Sequence, residues 1–512
     1  MATTLIRGRQ IVCKVEDRHT AIVVDDGAVA QTDGVIVAIG GYAEMAANYP
    51  EAQTQGSPDH VVLPGFVNSH HHVGLTPLQL GSPDYALELW FAGRLSARRV
   101  DLYLDTMYSA FEMIESGITT VQHLHGWLPG DLDVVHSAAA DVLRAYDDIG
   151  MRVSYSYALR DQNRLVYEAD EDFVRRMPAD LQPRMQTYFD EVSLTLDQQL
   201  EMFRDLHKSH HQASRSKIQL APANLHWCSD KALESLQQHA QDHDVPMHMH
   251  LLETAYQKEY ARRRTGKTAV AHLAEVGLLG PHLTLGHGVW LTEQDIDLVA
   301  ETGTRICHNC SSNLRLRSGV AALNEYAKRN VRVGIGLDEA GINDDRDMLQ
   351  EMRMVLRMHR VPGMDDIVPT CPQVLRMATE HGAQTTPYGD QIGALEVGRA
   401  ADMVLIDWRQ LAYPYLDQDI EVIDAVLQRA KTQGVDAVIV EGELIYNEGR
   451  FTRVNKQDLL DQLAQSLDRP DTAEEAKRRE FGRRVFPLVK AFYDGYLEGE
   501  QRTPYYGSSS RF

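Results

Sequence analysis

Cysteine is scarce: Cys13, Cys228, Cys307, Cys310 and Cys371 are the five in a chain of 512 residues. A small, odd number spread over this length excludes a disulfide framework and suits a reducing compartment. The close pair in Cys307-His-Asn-Cys310 is half of a four-cysteine zinc site, but no second CxxC completes it, so the thiols read as buried. Long apolar runs are also missing. No stretch approaches ~18 uninterrupted apolar residues, and the opening MATTLIRGRQIVCKVEDRH has no apolar segment behind its basic residues, so neither a membrane span nor a secretion signal is expected. Basic residues are outnumbered, 51 Lys+Arg against 73 Asp+Glu, for a net charge of −22. That field repels nucleic-acid phosphates and anionic membrane surfaces, and no basic run stands against it. A soluble, cytoplasmic protein with no nucleic-acid or membrane partner is the expectation. With 43% hydrophobic and 24% charged residues, the chain is far from the regime of disorder and can bury a large core.

The texture along the chain changes twice. Residues 4–62 read as short strands: 5–7, 21–24, an Asp25-Asp26-Gly27 turn, then 35–39 before Gly40-Gly41. From Leu63 apolar runs alternate with long helical patterns: a helix over 100–116, a strand over 117–125, a helix over 229–244, a strand over 245–251 and a helix over 292–302. That alternation predicts a parallel βα barrel. Near residue 398 short strands return, at 401–406, 435–440 and 443–446. The reading is therefore an α/β fold, with a barrel over 63–397 and a small β-sandwich built from both flanks, 1–62 and 398–451. A helical appendix, 452–512, has its second helix opening at Asp471 with Glu474 three residues later, like a capping box. It carries no catalytic signature and is free to dock on the barrel or on a neighbouring subunit.

The chemistry gathers at strand ends. In Leu63-Pro-Gly-Phe-Val-Asn-Ser-His70-His71-His72 the alternation of a strand puts His70 and His72 on one face and His71 on the other. Two imidazoles on one face at the rim of a barrel can bind one metal ion, although three histidines in a polar turn would look similar. Val245-Pro-Met-His248-Met-His250-Leu-Leu-Glu253 repeats the device. His250, nearer the rim, is the better ligand, whereas His248 sits one layer deeper and reads as a hydrogen-bonded core histidine. Glu253, in the following loop, is within reach of a substrate as a general acid or base; by itself an exposed loop glutamate would be the plainer reading. His287 and Asp338 each close an apolar strand. An aspartate there is ordinarily a cap or turn former; beside three histidines it becomes a fourth ligand or the base next to the metal. Imidazole and carboxylate donors suit Zn²⁺, Fe²⁺ or Mn²⁺.

The segments PGFVNSHHHV, MHMHLLET, GHGVWLTEQDI, HNCSSNLRLRSG, the strand-end Asp338 and the closing ATEHGAQTTPYGDQIGALEVGRAADMVLIDW together resemble the amidohydrolase superfamily, in its cytosine deaminase-like and chlorohydrolase-like branch. The resemblance runs from about residue 4 to about residue 450. It implies a distorted (β/α)8 TIM barrel with a β-sandwich from both chain ends. It also implies one divalent metal ion per chain, zinc before iron or manganese, held by His70, His72, His250 and Asp338, with Glu253, His287 and Asp338 catalytic. Lys217 begins its strand instead of ending it, so no lysine is placed to bridge a second metal.

The implied activity is attack on an electron-poor ring carbon of a nitrogen heterocycle by metal-bound hydroxide, formed as the ion lowers the pKa of water from 15.7 to about 7. Hydrolytic deamination of an aminated purine, pyrimidine, pterin or triazine leads. Expulsion of chloride or an alkylamine, or opening of a cyclic amide, uses the same parts, and a barrel without catalysis, serving in an assembly, is a further alternative. A homo-oligomer, dimer or tetramer, is common among such proteins. Trp90, Trp127 and Trp227 offer stacking surfaces for a flat ring, although each alone more often packs in a core or rim. His123 and His125 share a face and can line the pocket or sit behind the ligands. Glu339, where many relatives carry glycine, reads as a solvated rim carboxylate or as a contact to a basic substituent of the substrate.

Overall fold

The computed structural model describes residues 3–72, 74–126, 128–364 and 368–498. Its centre is a closed ring of parallel strands. Barrel strand one is Phe66–His71, two is Ile118–His125 and three is Arg152–Leu159; strand four is interrupted, as Ser216–Ile218 and Ala221–Pro222. Strand five is Met247–Leu251, six Leu283–His287, seven Arg305–His308 and eight Val333–Ile335. Successive pairs are in parallel register, for example Val121 with Val153 and His250 with Gly286. Single bridges complete the ring, from Asn224 to His250 and from His71 to Asp338. The strands are covered on their outer faces by helices, so they read as continuous apolar runs such as Leu283-Thr-Leu-Gly.

The helices begin where their caps dictate. The Asp101 carboxylate accepts from Leu104 N–H ahead of Leu102–Glu115, Ser229 caps Asp230–His243, and Thr292 with Asp295 forms a capping box for Glu293–Thr302. These helices pack with the strands into one large apolar core that includes Phe111, Ile114, Tyr146, Leu236 and Val299.

Both flanks enter a nine-stranded sheet. Strand Met403–Asp407 runs antiparallel to His60–Pro64, pairing Met403 with Pro64 and Leu405 with Val62, and so joins the C-terminal strands to the N-terminal ones. The sheet curls: Ile36 N–H donates to Arg399 O at 2.9 Å, and Ile6, Val29 and Ile36 from one end share a core with Met403 and Ile439 from the other.

Two local expectations fail. No turn forms at Asp25-Asp26-Gly27. Strand Ala21–Thr32 runs straight through it against the long strand Thr3–Val15, and the side chains are used across the pair, Arg7 on Asp26 at 2.9 Å and Gln10 on Asp25 at 3.0 Å. The chain reverses instead at Asp33-Gly34, both at positive φ, just before strand Val35–Gly41. The last helix, Ala473–Tyr493, takes its cap from Thr472 with Glu475, one residue beyond the Asp471/Glu474 pair, because a threonine hydroxyl can accept from the third helical N–H while Asp471 is drawn to Arg98 at 2.7 Å.

The C-terminal helices dock on their own barrel. Lys456–Leu467 lies along Leu102–Glu115, with Lys456 Nζ 2.5 Å from Glu115 Oε1. Ala473–Tyr493 packs on Leu87–Arg94 and builds a second core from Phe481, Val485, Val489 and Tyr493 with Leu165, Tyr167, Phe173 and Phe189. Among the described residues no helix is long and apolar enough to cross a membrane.

Candidate metal centre and active site

Strand alternation brings His70 and His72 inward from strand one, and His250 meets them from strand five. Nε2 of His72 lies 3.0 Å from Nε2 of His70 and 3.0 Å from Nε2 of His250. The remaining nitrogens fix the tautomers. His72 Nδ1–H donates to Leu124 O at 2.7 Å and His250 Nδ1–H to Ala223 O at 2.8 Å, which leaves both Nε2 atoms as bare lone pairs facing one another. Burial and the neighbouring imidazoles hold His70 and His250 well below the usual histidine pKa, so a proton is not what reconciles these lone pairs. Asp338 Oδ1 closes the group, 3.3 Å from His72 Nε2 and 3.7 Å from His70 Nε2. Three imidazole lone pairs converging beside a carboxylate are a donor set that fits one divalent cation.

Titratable groups able to exchange protons stand next to this cluster. His287 Nε2 is 3.7 Å from Asp338 Oδ2 and 3.6 Å from Glu253 Oε2, while its Nδ1 lies 2.9 Å from Asn313 Oδ1. Asp338 Oδ2 accepts from Ser312 Oγ at 2.6 Å. Glu253 is only 3% exposed. Burial first, and then the charge of Asp338, push its carboxyl well above the ordinary carboxylate range, the direction that suits a group which donates a proton. The plain reading of Glu253 as an exposed loop glutamate is therefore wrong, because the barrel mouth is roofed over.

The backbone is strained where these groups are presented. His287 has φ 71° and Asp338 φ 56°, left-handed conformations that non-glycine residues adopt at a cost of order 1–3 kcal/mol and that collect at functional sites. Gly336, two residues before Asp338, allows the approach: a Cβ there would collide with Asn309 Oδ1 and His70 Cβ.

Above the cluster opens a cavity of about 440 Å³, with His72, His250, His287, Glu253 and Asp338 on its lining. Trp90, His125, Trp227 and Glu339 line it too, as does His123. Trp227 meets Phe91 edge to face with ring centroids 5.0 Å apart. His125 Nδ1 sits 2.9 Å from Tyr155 Oη, and His123 Nδ1 2.9 Å from Tyr146 Oη. Glu339 is not a solvated rim carboxylate: it is 9% exposed and meets Arg94 Nη1 at 3.2 Å, since helix Leu87–Arg94 is folded over it. His71 points away from the cluster, to Ser109 Oγ and to the Asp338 carbonyl, both at 3.2 Å. Lys217 donates to His211 O at 2.9 Å, away from the cluster. Trp127 lies outside the described residues.

His248 is the buried, hydrogen-bonded histidine that the sequence suggested, its Nε2 2.8 Å from His70 Nδ1, where it orients a member of the histidine cluster. Sequence reasoning missed other supporting residues. Ser312 and Asn313 hold Asp338 and His287, and the motif HNCSSNLRLRSG already contained them. Arg478 and Phe481, on the helix that seemed to carry nothing for the site, form part of the cavity wall.

An eight-stranded barrel with this rim of histidines and carboxylates, joined to a sheet from both chain ends, is the architecture of amidohydrolases. The chain belongs to the amidohydrolase family, whose profile it matches over residues 61–445. It is 30% identical over 444 residues to a 5-methylthioadenosine/S-adenosylhomocysteine deaminase of Syntrophobacter fumaroxidans, with 86% of this chain and 92% of the relative covered. An adenosine deaminase from Xanthomonas campestris, solved with bound zinc, superposes with a TM-score of 0.76 at 25% identity, covering 91% of this chain and 97% of the other. An atrazine chlorohydrolase from Arthrobacter aurescens TC1, complexed with zinc, shares the fold, with a TM-score of 0.77 at 20% identity over 90% of this chain and 99% of that one.

Proposed function

We propose that this protein is a hydrolytic deaminase of an aminated purine carried on a nucleoside-like substrate, releasing ammonia and leaving the oxo-purine. The observation that carries the reading is the convergence of a buried Glu253, its carboxyl pKa raised by burial and by Asp338, with His287 and Asp338 beside the three-histidine cluster, on the lining of an aromatic-walled cavity. The adenosine-type substrates named for the relatives support the purine as the ring.

A single divalent ion, which we take to be zinc as in the structural neighbours, would be held by His70, His72, His250 and Asp338 and would supply the Lewis acidity that makes water a nucleophile at neutral pH. The chain's own residues handle the protons. Asp338 Oδ2, oriented by Ser312, and His287 Nε2, oriented by Asn313, accept the proton of the attacking water. Glu253 gives its proton to the ring nitrogen next to the carbon under attack and then carries the remaining proton of the added hydroxyl to the departing amine as the C–N bond breaks and the carbonyl forms; the proton first taken by Asp338 and His287 returns to Glu253. The heterocycle lies between Trp90 and Trp227 and the cluster, with the rest of the nucleoside toward Arg94, Glu339 and the C-terminal helix. A cytoplasmic setting, consistent with five buried free thiols, and assembly into a dimer or tetramer belong to the same proposal; light scattering tests the latter.

The test is product analysis. Adenosine-type nucleosides, guanine, pterins, aminopyrimidines and chloro- or alkylamino-triazines are offered to the purified protein. The reading expects stoichiometric ammonia with the adenosine-type compounds leading; chloride, an alkylamine or a ring-opened acid as the main product would replace it with the chlorohydrolase or cyclic amidohydrolase reading.

A further inference from the structure

The motif Cys307-His308-Asn309-Cys310 lacks its second half in the sequence, and the fold supplies a different partner. His308 ends barrel strand seven and Cys310 opens helix Cys310–Arg315. His359, which follows helix Met348–Met358, is folded against them. One donor atom from each of the three lies within 4.8 Å of the other two. Nε2 of His308 is 2.9 Å from Nε2 of His359, close to the 3.0 Å that separates the same atoms of His72 and His250. All three residues are buried, and His308 Nδ1 has no hydrogen-bond partner among the described residues. The neighbouring carboxylate of Glu351, also buried, accepts from Ser311 N–H at 2.9 Å.

We propose that His308, Cys310 and His359 form a second metal site, separate from the active centre, that takes a divalent ion of the zinc class. Two imidazoles and one thiolate are the donors such an ion prefers, and a thiolate together with Glu351 balances its charge in a buried place. The site clamps the end of helix Met348–Met358 to helix Cys310–Arg315. That second helix carries Ser312 and Asn313, which hold Asp338 and His287. The ion is structural: its loss loosens Ser312 and Asn313, and through them Asp338 and His287, while His70, His72 and His250 keep their places. The other cysteine of the motif, Cys307, lies instead beside His70 and His248 and belongs to the active centre's surroundings.

Cobalt substitution of the full chain separates the two sites, because the active-centre donors are nitrogen and oxygen and a thiolate-to-cobalt charge-transfer band reports only a cysteine-ligated ion. The proposal expects two metal equivalents in the wild-type protein and the band. Cys310→Ser and His359→Gln each lose the band and one equivalent, whereas Cys307→Ser keeps both. His72→Ala keeps the band while losing the other equivalent, so failure of the active-centre assignment shows up separately. A wild-type protein with no band, or a band that survives Cys310→Ser, overturns the second site, and the wild-type spectrum decides even where a variant does not fold.

Discussion

Replacing Glu253 by glutamine removes one transferable proton and little else. The carboxyl is buried and its pKa is pushed up by burial and by Asp338, and the amide matches its protonated form closely in shape and charge. Its oxygen can still accept from Ser318 Oγ, now 3.3 Å from Oε1, and no cost of a newly buried charge arises. Glu253 approaches the metal cluster only through His287 and Asp338, so metal content should not change. What is lost is general acid catalysis, about 10²–10⁴-fold in kcat, which at ~1.4 kcal/mol per decade is roughly 3–5 kcal/mol of transition-state stabilisation. The assay is steady-state ammonia release on Glu253→Gln beside the wild type, with Tm and metal content from the same preparations. The wild-type rate should also fall on the alkaline side. Burial and the charge of Asp338 raise the pKa of Glu253, so its proton is lost as pH climbs past that raised value. Turnover within tenfold of wild type refutes the acid role, and loss of metal in the variant makes Glu253 a ligand instead.

Other substitutions probe the remaining parts. His72→Ala and His250→Ala should each lose the active-centre metal and all measurable turnover, read by elemental analysis; His71→Ala should keep the metal yet lower turnover severalfold, because its Nδ1 lies against the Asp338 carbonyl. Ser312→Ala removes a hydrogen bond to a carboxylate, of order 1.5–3 kcal/mol, and should lower kcat about 10–100-fold with KM little changed. Phe481→Ala, at a buried anchor of the C-terminal helix that also lines the cavity, should lower stability by about 3 kcal/mol in urea unfolding and raise KM. Glu339→Gly leaves Arg94 without its 3.2 Å partner and should raise KM most for substrates bearing a positive charge; unchanged kinetics would make the pair purely structural.

The convergence of the histidines was legible because a strand's period of two is unforgiving: once His70-His71-His72 lies on a strand, two of the three must share a face, and His248-Met-His250 repeats the pattern. Their tautomers were not legible, since they depend on the carbonyls of Leu124, on strand two, and Ala223, just past strand four. The alternation of strands and helices likewise announced the barrel, and helix ends such as Ser229 and Thr292 announced themselves by their side chains. The reading went wrong where contacts far apart in the chain overrule local propensity. Asp25-Asp26-Gly27 has turn chemistry, and Asp26 does take a positive φ, but pairing against the strand that carries Arg7 and Gln10 keeps the chain from reversing there. Glu339 looked solvated because nothing nearby in sequence shields it; Arg94, 245 positions away, does. The C-terminal helix looked idle for the same reason, its role resting on a core shared with residues such as Leu165 and Phe189.

The central claim is that these residues, with a divalent ion, hydrolyse the amine from a purine. Adenosine-type substrate given to the as-purified, chelated and zinc-restored protein tests it most directly, with ammonia and oxo-purine measured together. The account predicts equal amounts of the two products, abolished by chelation and recovered with zinc. Turnover that survives complete removal of metal, or consumption of substrate without ammonia, would contradict it.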